Sequence, residues 1–482
     1  MASHAPVVTT ADSATADLRR IFDQQKQAFT MSEPFTLRQR RAQLDKLAAV
    51  IAANRESVVK AISDDFGHRA AAETLSAEVM VTLESIRYAR RRLAGWMRPR
   101  RARTGLLMAT TRAATVCQPK GVAGIIAPWN YPFLMVFRPL VYALSAGNRI
   151  MVKPSEYSPA TSALMQEMMA EHFGEDHIAV VTGEAEVGIA FSQLPFDHLL
   201  FTGSTEVGRH VMRAAAENLT PVTLELGGKT PTIICNDVDI DMAAERICFG
   251  KMLNSGQTCT APDYVLCAPS RQDQLVAALG AVKARMFPTI AGNYDYTSIA
   301  NDRHFRRLQE MLADARDKGA TIIPLNPAAE KLDPQHRRMP LTVVRNVTDD
   351  MRIANEEIFG PILPIIDSPS LDAAIDYIRA RPRPLALNLF ADSKADIERV
   401  VSQTHAGGMC INDAVMHVAV EDLPFGGTGE SGMGRYHGRA GFETFSNLKG
   451  VYRRPRWINT AKTLYPPHGK ALQRWLHRFF IR

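Results

Sequence analysis

From Ala113 onward, short runs of β-branched and apolar residues alternate with segments of helical length, and this alternation restricts the chain to few architectures. Strands are expected at 121–127, 149–153, 198–202 and 222–226. Helices are expected between them at 132–146, from Ser158-Pro159, and from about 205. Ser158 suits an N-cap and Pro159 the first helical position. The pattern resumes after residue 240 with a helix at 239–254, a strand at 263–267, a helix at 271–286, a strand at 385–390 and a helix at 393–404. Strand–helix–strand units of this size build parallel sheets covered on both faces. A chain of 482 residues is also too long for a single core. Two α/β domains are therefore expected. The first hundred residues read instead as helices, Leu37 to Ile62 and Ala71 to Met97, ended by Pro99 and the arginines after it.

Charge narrows the function classes. The net charge is +7, but the stretch 453–482 holds Arg453, Arg454, Arg456, Lys462, Lys470, Arg474, Arg478 and Arg482 with no acidic residue. The remaining body is close to neutral. A second basic cluster, Arg90-Arg91-Arg92 through Arg98, Arg100, Arg101 and Arg103, lacks the interleaved aromatics or motif that nucleic-acid binding needs, and reads as a solvated face. No basic start followed by an apolar run marks an export signal, and no stretch of about 18 apolar residues marks a transmembrane helix. Six cysteines in such a chain are expected as reduced thiols of a cytoplasmic protein. With no CxxC pair and no HExxH, no metal site is expected.

Five of the six cysteines stand beside strand- or core-forming apolar residues, but Cys259, in NSGQTCTAPDY, lies between two threonines just after Gly256-Gln257. A thiol gains little from burial there. In TPVTLELGGK, Val222, Leu224 and Leu226 alternate with Glu225, which falls on the opposite strand face, where a lone acid is usually solvent-facing. In IIAPWNYP, Asn130 sits in the turn before a helix, where an amide either caps or donates to an oxyanion. FTGSTEVG reads as strand, glycine turn and a helix N-terminus near Ser204, a setting that suits phosphate. MVKPSE places Lys153 and Glu156 just after another strand, offering a cation and an acceptor for ribose hydroxyls.

Jointly, PWNYP, KPSE, FTGSTEVG, LELGGK, GQTC, EEIFGP (356–361) and LPFGGTGESGMGRYHG (423–438) occur in the order found in the aldehyde dehydrogenase superfamily, from about residue 15 to 455. GQTCTAPDY, NDAVMH and GMGRYHG resemble the class-three branch, and within it the coniferyl aldehyde dehydrogenase group. The resemblance implies two doubly wound α/β domains and a bridging element. These are a Rossmann-like NAD-binding domain (1–97 and 120–227), a catalytic domain (228–425), bridging or oligomerisation segments (98–119 and 426–455), and a separate tail (456–482). It assigns Cys259 as nucleophile, Asn130 and the Cys259 N–H to the oxyanion, and Glu225 to activation of water. Lys153 and Glu156 would hold the adenosine ribose, Gly203 and Ser204 the pyrophosphate, Glu357 the nicotinamide ribose, and Phe359 the ring region. Trp129 and Gly208 complete the cofactor set. Glu156 favours NAD because a carboxylate repels a 2′-phosphate, although class-three relatives also accept NADP. The substrate class implied is an aromatic or medium-to-long apolar aldehyde, and the assembly a homodimer. A CoA-acylating relative is disfavoured by Glu225 and Glu357, and a non-catalytic protein by the intact set Asn130, Glu225 and Cys259. Asn388 departs from the aromatic common at its position in class-three relatives. In the tail, Leu472, Trp475, Leu476, Phe479 and Phe480 oppose Lys470, Arg474, Arg478 and Arg482. That amphipathic helix would dock on the body or partner subunit, or lie on a membrane surface.

Overall fold

The computed structural model describes residues 11–105, 108–459, 461–462 and 465–481. Residues 1–10 of the expected NAD-binding segment and Arg482 of the tail lie outside the described residues. Three sheets organise the rest. The first runs, edge to edge, Gly432–Met433, Val222–Glu225, His198–Thr202, Val122–Ile126, Arg149–Lys153 and Ile178–Val180. All its neighbours are parallel except Gly432–Met433. The second runs Thr321–Leu325, Leu341–Arg345, Ile362–Asp367, Tyr264–Cys267, Pro231–Ile234, Ala386–Phe390 and Gly408–Ile411, with only Thr321–Leu325 antiparallel. Arg100–Ala102, Arg112–Pro119 and Ser446–Arg453 form a third, antiparallel sheet. The stretch 426–455 is therefore shared between the first sheet and the third.

Register decides where chemistry can occur. Ile126 lies opposite both Lys153 and Phe201, and Thr202 opposite Glu225. The turns after these strands, Ala127–Asn130, Pro154–Glu156, Gly203-Ser204 and Leu226–Lys229, therefore emerge along one edge. In open parallel sheets this carboxyl edge is where ligands bind. Helix Leu134–Ala146 packs beneath it with every residue buried except Met135.

Several helix expectations need correction. Leu37 to Ile62 is not continuous. It divides into Leu37–Ala53, opened by a Thr36/Gln39 capping box, and Arg55–Phe66, with Asn54 turning back to bond the Val50 carbonyl. Ala71 to Met97 contains one wide π-helical turn, Leu75–Met80. The helix expected at 239–254 spans Ile240–Met252, because Asn254 and Ser255 adopt left-handed conformations (φ 53° and 51°). Asn388 is fully buried mid-strand, donating to Thr232 Oγ1 at 3.2 Å, so an amide pair occupies the place of aromatic packing. The basic cluster is surface: Arg90 pairs with Asp45 and Arg91 with Glu84.

The tail forms a helix, Ala471–Phe480, but does not dock on the body. Leu472, Trp475, Phe479 and Phe480 are all exposed, and Trp475 stacks on Phe479. No described helix is long and apolar enough to cross a membrane.

Candidate active site

A cavity of ≈ 260 Å³ opens at the carboxyl edge of the first sheet and is closed from the other side by the second. Trp129, Asn130, Gly203, Ser204, Glu225, Cys259, Glu357 and Phe359 all line it. Of the residues singled out from the sequence, Lys153, Glu156 and Gly208 do not. Lys153 is buried beneath the adjoining depression that Glu156 lines, with Nζ 3.5 Å from the Glu156 carboxylate. Gly208 is buried in helix Thr205–Ala216, where a Cβ would stand 2.5 Å from Leu226, so it permits helix–sheet packing rather than facing the cavity.

The loop bearing Cys259 is held by buried amides. Asn254, Ser255 and Gly256 are successively left-handed, a run that ordinary side chains disfavour. At Gly256 a Cβ would meet the Gly360 carbonyl at 2.5 Å, so two backbones touch where only glycine fits. Gln257 Nε2 donates to the Asn254 and Ser298 carbonyls, and its Oε1 accepts from Ala300 N–H at 2.9 Å. Asn130 Nδ2 donates to the Gln257 carbonyl at 3.1 Å, tying the oxyanion candidate to the nucleophile's own loop. Thr258 and Tyr131 exchange a hydroxyl hydrogen bond at 2.8 Å.

The electrostatics around the sulfur are those of acids close together. Cys259 is half-buried. Burial, then the Glu357 and Glu225 carboxyls, push its thiol up to about 12. Glu225 is not solvent-facing. It is buried with neither carboxyl oxygen in a hydrogen bond of ordinary geometry, and desolvation raises its pKa well above the usual range despite the nearby Arg435 charge. A carboxyl held neutral or nearly so, with free lone pairs, is poised to exchange a proton near neutral pH. Glu357 is raised to about 7 by burial and by Asp263. Its carboxylate lies over Gly227, where a Cβ would meet Oε2 at 2.1 Å.

The EEIFGP turn is fixed by residues the sequence reading left without a role. Lys229 donates to Asp263 and to the Ile353 and Glu356 carbonyls, while Asp263 accepts from Ile358 N–H at 2.9 Å. Arg307 donates to the Glu357 and Ile358 carbonyls, and His304 packs on Trp129 with ring centroids 4.5 Å apart. Lys229 and Asp263 stood inside recognised motifs. Arg307 and His304 lie on helix Asp302–Asp317, where no local signal marked them. Phe359 is left-handed (φ 52°) and meets Trp129 edge-on at 5.4 Å, so its backbone is strained where it lines the cavity.

The surroundings fit a dinucleotide. Gly203 leaves room at a strand-to-helix turn, since a Cβ there would meet the Phe201 ring at 2.5 Å. Ser204 caps the following helix through Val207 N–H, presenting a helix N-terminus to the cavity. Lys153 and Glu156 lie one strand away on the same edge.

This combination of two doubly wound sheets and a cysteine-lined seam defines the aldehyde dehydrogenase fold, and the model of the aldehyde dehydrogenase family matches residues 2–451, so the chain belongs to that family. It is 50% identical over 466 residues to a probable coniferyl aldehyde dehydrogenase of Pseudomonas aeruginosa, covering 96% of each chain. A coniferyl aldehyde dehydrogenase from a Pseudomonas species is 44% identical, covering 93% of each chain. Among solved structures, a substrate-bound state of Staphylococcus aureus AldH superposes with a TM-score of 0.89 at 38% identity, covering 96% of this chain and 99% of that one. The chain is thus an enzyme that oxidises aldehydes with NAD(P), as the motifs implied.

The acids beside the thiol make a direct prediction. Glu357→Gln removes a like charge that opposes thiolate formation, so alkylation of Cys259 by iodoacetamide in the cofactor-free enzyme should accelerate by about three- to ten-fold at pH 8. The difference should vanish below about pH 6, where the Glu357 carboxyl is itself protonated. Equal rates at pH 8 would show that Glu357 does not set the thiol's acidity.

Proposed function

We propose that the chain oxidises an aromatic or medium-to-long apolar aldehyde to its carboxylic acid, with Cys259 as nucleophile, Asn130 as oxyanion donor and Glu225 as general base. The convergence of these three side chains on one cavity carries the reading. The Cys259 sulfur adds to the carbonyl carbon, and the oxygen becomes negative as the tetrahedral thiohemiacetal forms. Asn130 Nδ2 and the Cys259 N–H are the donors for that oxygen. A bound nicotinamide supplies the hydride acceptor that converts this adduct to a thioester. Glu225 takes a proton from water, which attacks the thioester, and sulfur leaves as the acid is released. The apolar Met135, Leu385 and Phe425, with Tyr436, line the same cavity and suit an apolar or aromatic substrate body.

The cofactor proposed is NAD, because Glu156 meets the ribose edge with a carboxylate. The division into NAD-binding (1–97, 120–227), catalytic (228–425) and bridging (98–119, 426–455) parts follows the three sheets. A homodimer is supported by exposed Leu448, Val451 and Tyr452 on strand Ser446–Arg453 and by Ile411 on edge strand Gly408–Ile411. Cytoplasmic residence is supported by six unbridged cysteines. The exposed Trp475, Phe479 and Phe480, opposite Lys470, Arg474 and Arg478, support peripheral contact with an anionic membrane surface.

Three measurements test these readings. Glu225→Gln should retain one rapid burst of NADH while steady turnover falls by about 10²-fold or more. A parallel fall in burst and turnover would remove Glu225 from the hydrolytic step. A panel of coniferyl, benzaldehyde-type, hexanal-type and short polar aldehydes, ranked by kcat/KM, should place the short polar compounds last; their ranking first would overturn the substrate class. Co-sedimentation with anionic liposomes should be lost on truncation after Arg456, and equal pelleting of both forms rules out the membrane contact.

A further inference from the structure

The residue assigned to the oxyanion is gripped from behind as well as from the front. Its backbone carbonyl, Asn130 O, accepts from Asn254 Nδ2 at 2.9 Å and from Arg69 Nη1 at 3.2 Å. Arg69 is buried, lies over the Phe66 and Tyr131 rings, and pairs with Glu78, whose side chain is wholly inaccessible. Arg69 Nε and Nη2 have no hydrogen-bond partner among the described residues. Glu78 sits on the wide turn Leu75–Met80, a geometry that interrupts regular helix and recurs at functional positions. Its second oxygen accepts from Phe133 N–H at 2.8 Å and Leu134 N–H at 3.0 Å, the first donors of helix Leu134–Ala146.

Stability alone does not explain this arrangement. A buried ion pair with unpartnered donors is often replaceable by apolar residues without loss. What apolar residues could not do is hold both ends of the turn 130–134, the carbonyl before it and the helix N–H groups after it. We propose that Arg69 and Glu78 are positioning residues that fix the Asn130 amide against the oxygen formed on the Cys259 adduct. The role rests on the oxyanion reading of Asn130. A displacement of about 1 Å in such a donor costs up to about 10²-fold in rate, which sets the size of effect to look for.

A double-mutant cycle on the full-length enzyme, with NAD and the best aldehyde of the panel, decides the matter. Asn130→Ala should lower kcat/KM by about 10²–10³-fold. Glu78→Gln should lower kcat by about ten-fold or more with KM for NAD unchanged. In the Asn130→Ala background, Glu78→Gln should cost less than about two-fold further, because the donor it positions is gone. A merely structural role predicts that the two losses multiply, and that result overturns the positioning role while leaving Asn130 in place. An Asn130→Ala enzyme as fast as the unmodified one overturns both. Glu78→Gln leaves Arg69 unpaired, so if a thermal melt shows it unfolded, Arg69→Gln with Glu78→Gln carries the same cycle without an unbalanced buried charge.

Discussion

The site depends on a knot of buried amides: Asn130, Asn254 and Gln257 bond to one another's backbone at 2.9 to 3.2 Å. These bonds join a turn at the edge of the first sheet to a loop that begins the second. Buried amides left unpaired would each cost about 1–3 kcal/mol, so the knot forms as a whole or strains as a whole. Its geometry holds a half-buried sulfur at the seam. Glu225 enters from the end of one strand and Glu357 from a turn more than 130 residues away in the chain. Each acid is raised by desolvation, and each in turn opposes ionisation of the thiol.

Much of this was legible in the sequence because it is local. Alternating apolar residues marked Val222–Glu225, the break between strand and helix marked Gly203-Ser204, and an isolated polar setting marked Cys259. The motifs then supplied the order. What stayed hidden was long-range. Arg307 and His304 reach the cavity from a helix whose own pattern is that of a surface helix. The Asn54 break and the left-handed Asn254 and Ser255 are dictated by neighbours: Asn254 bonds Asn130 and Glu73, residues distant in the chain. Periodicity sees only the first of these two kinds of cause.

Glu225 shows how a sound local rule fails. Strand alternation put it opposite the apolar face, which in a half-exposed sheet means water. Here the strand is covered on both faces and flanked by Gly432–Met433, so the opposite face is interior as well. A parallel or mixed sheet between two layers gives its polar residues no outside to face. Gly208 illustrates the converse. Its place in a phosphate-type motif suggested contact with the cofactor, yet its lack of a side chain serves the fit of the helix against Leu226.

Gly227 and Gly256 give the seam one more property. A carboxylate occupies the space a side chain would need at the first, and a carbonyl oxygen occupies it at the second. Neither position can be explored by gradual enlargement, since even alanine must evict a polar atom. Descendants of this chain are thus free to remodel the cavity's apolar wall while the hinge of backbone beneath it stays frozen, and diversification of what the pocket admits is channelled into the wall alone.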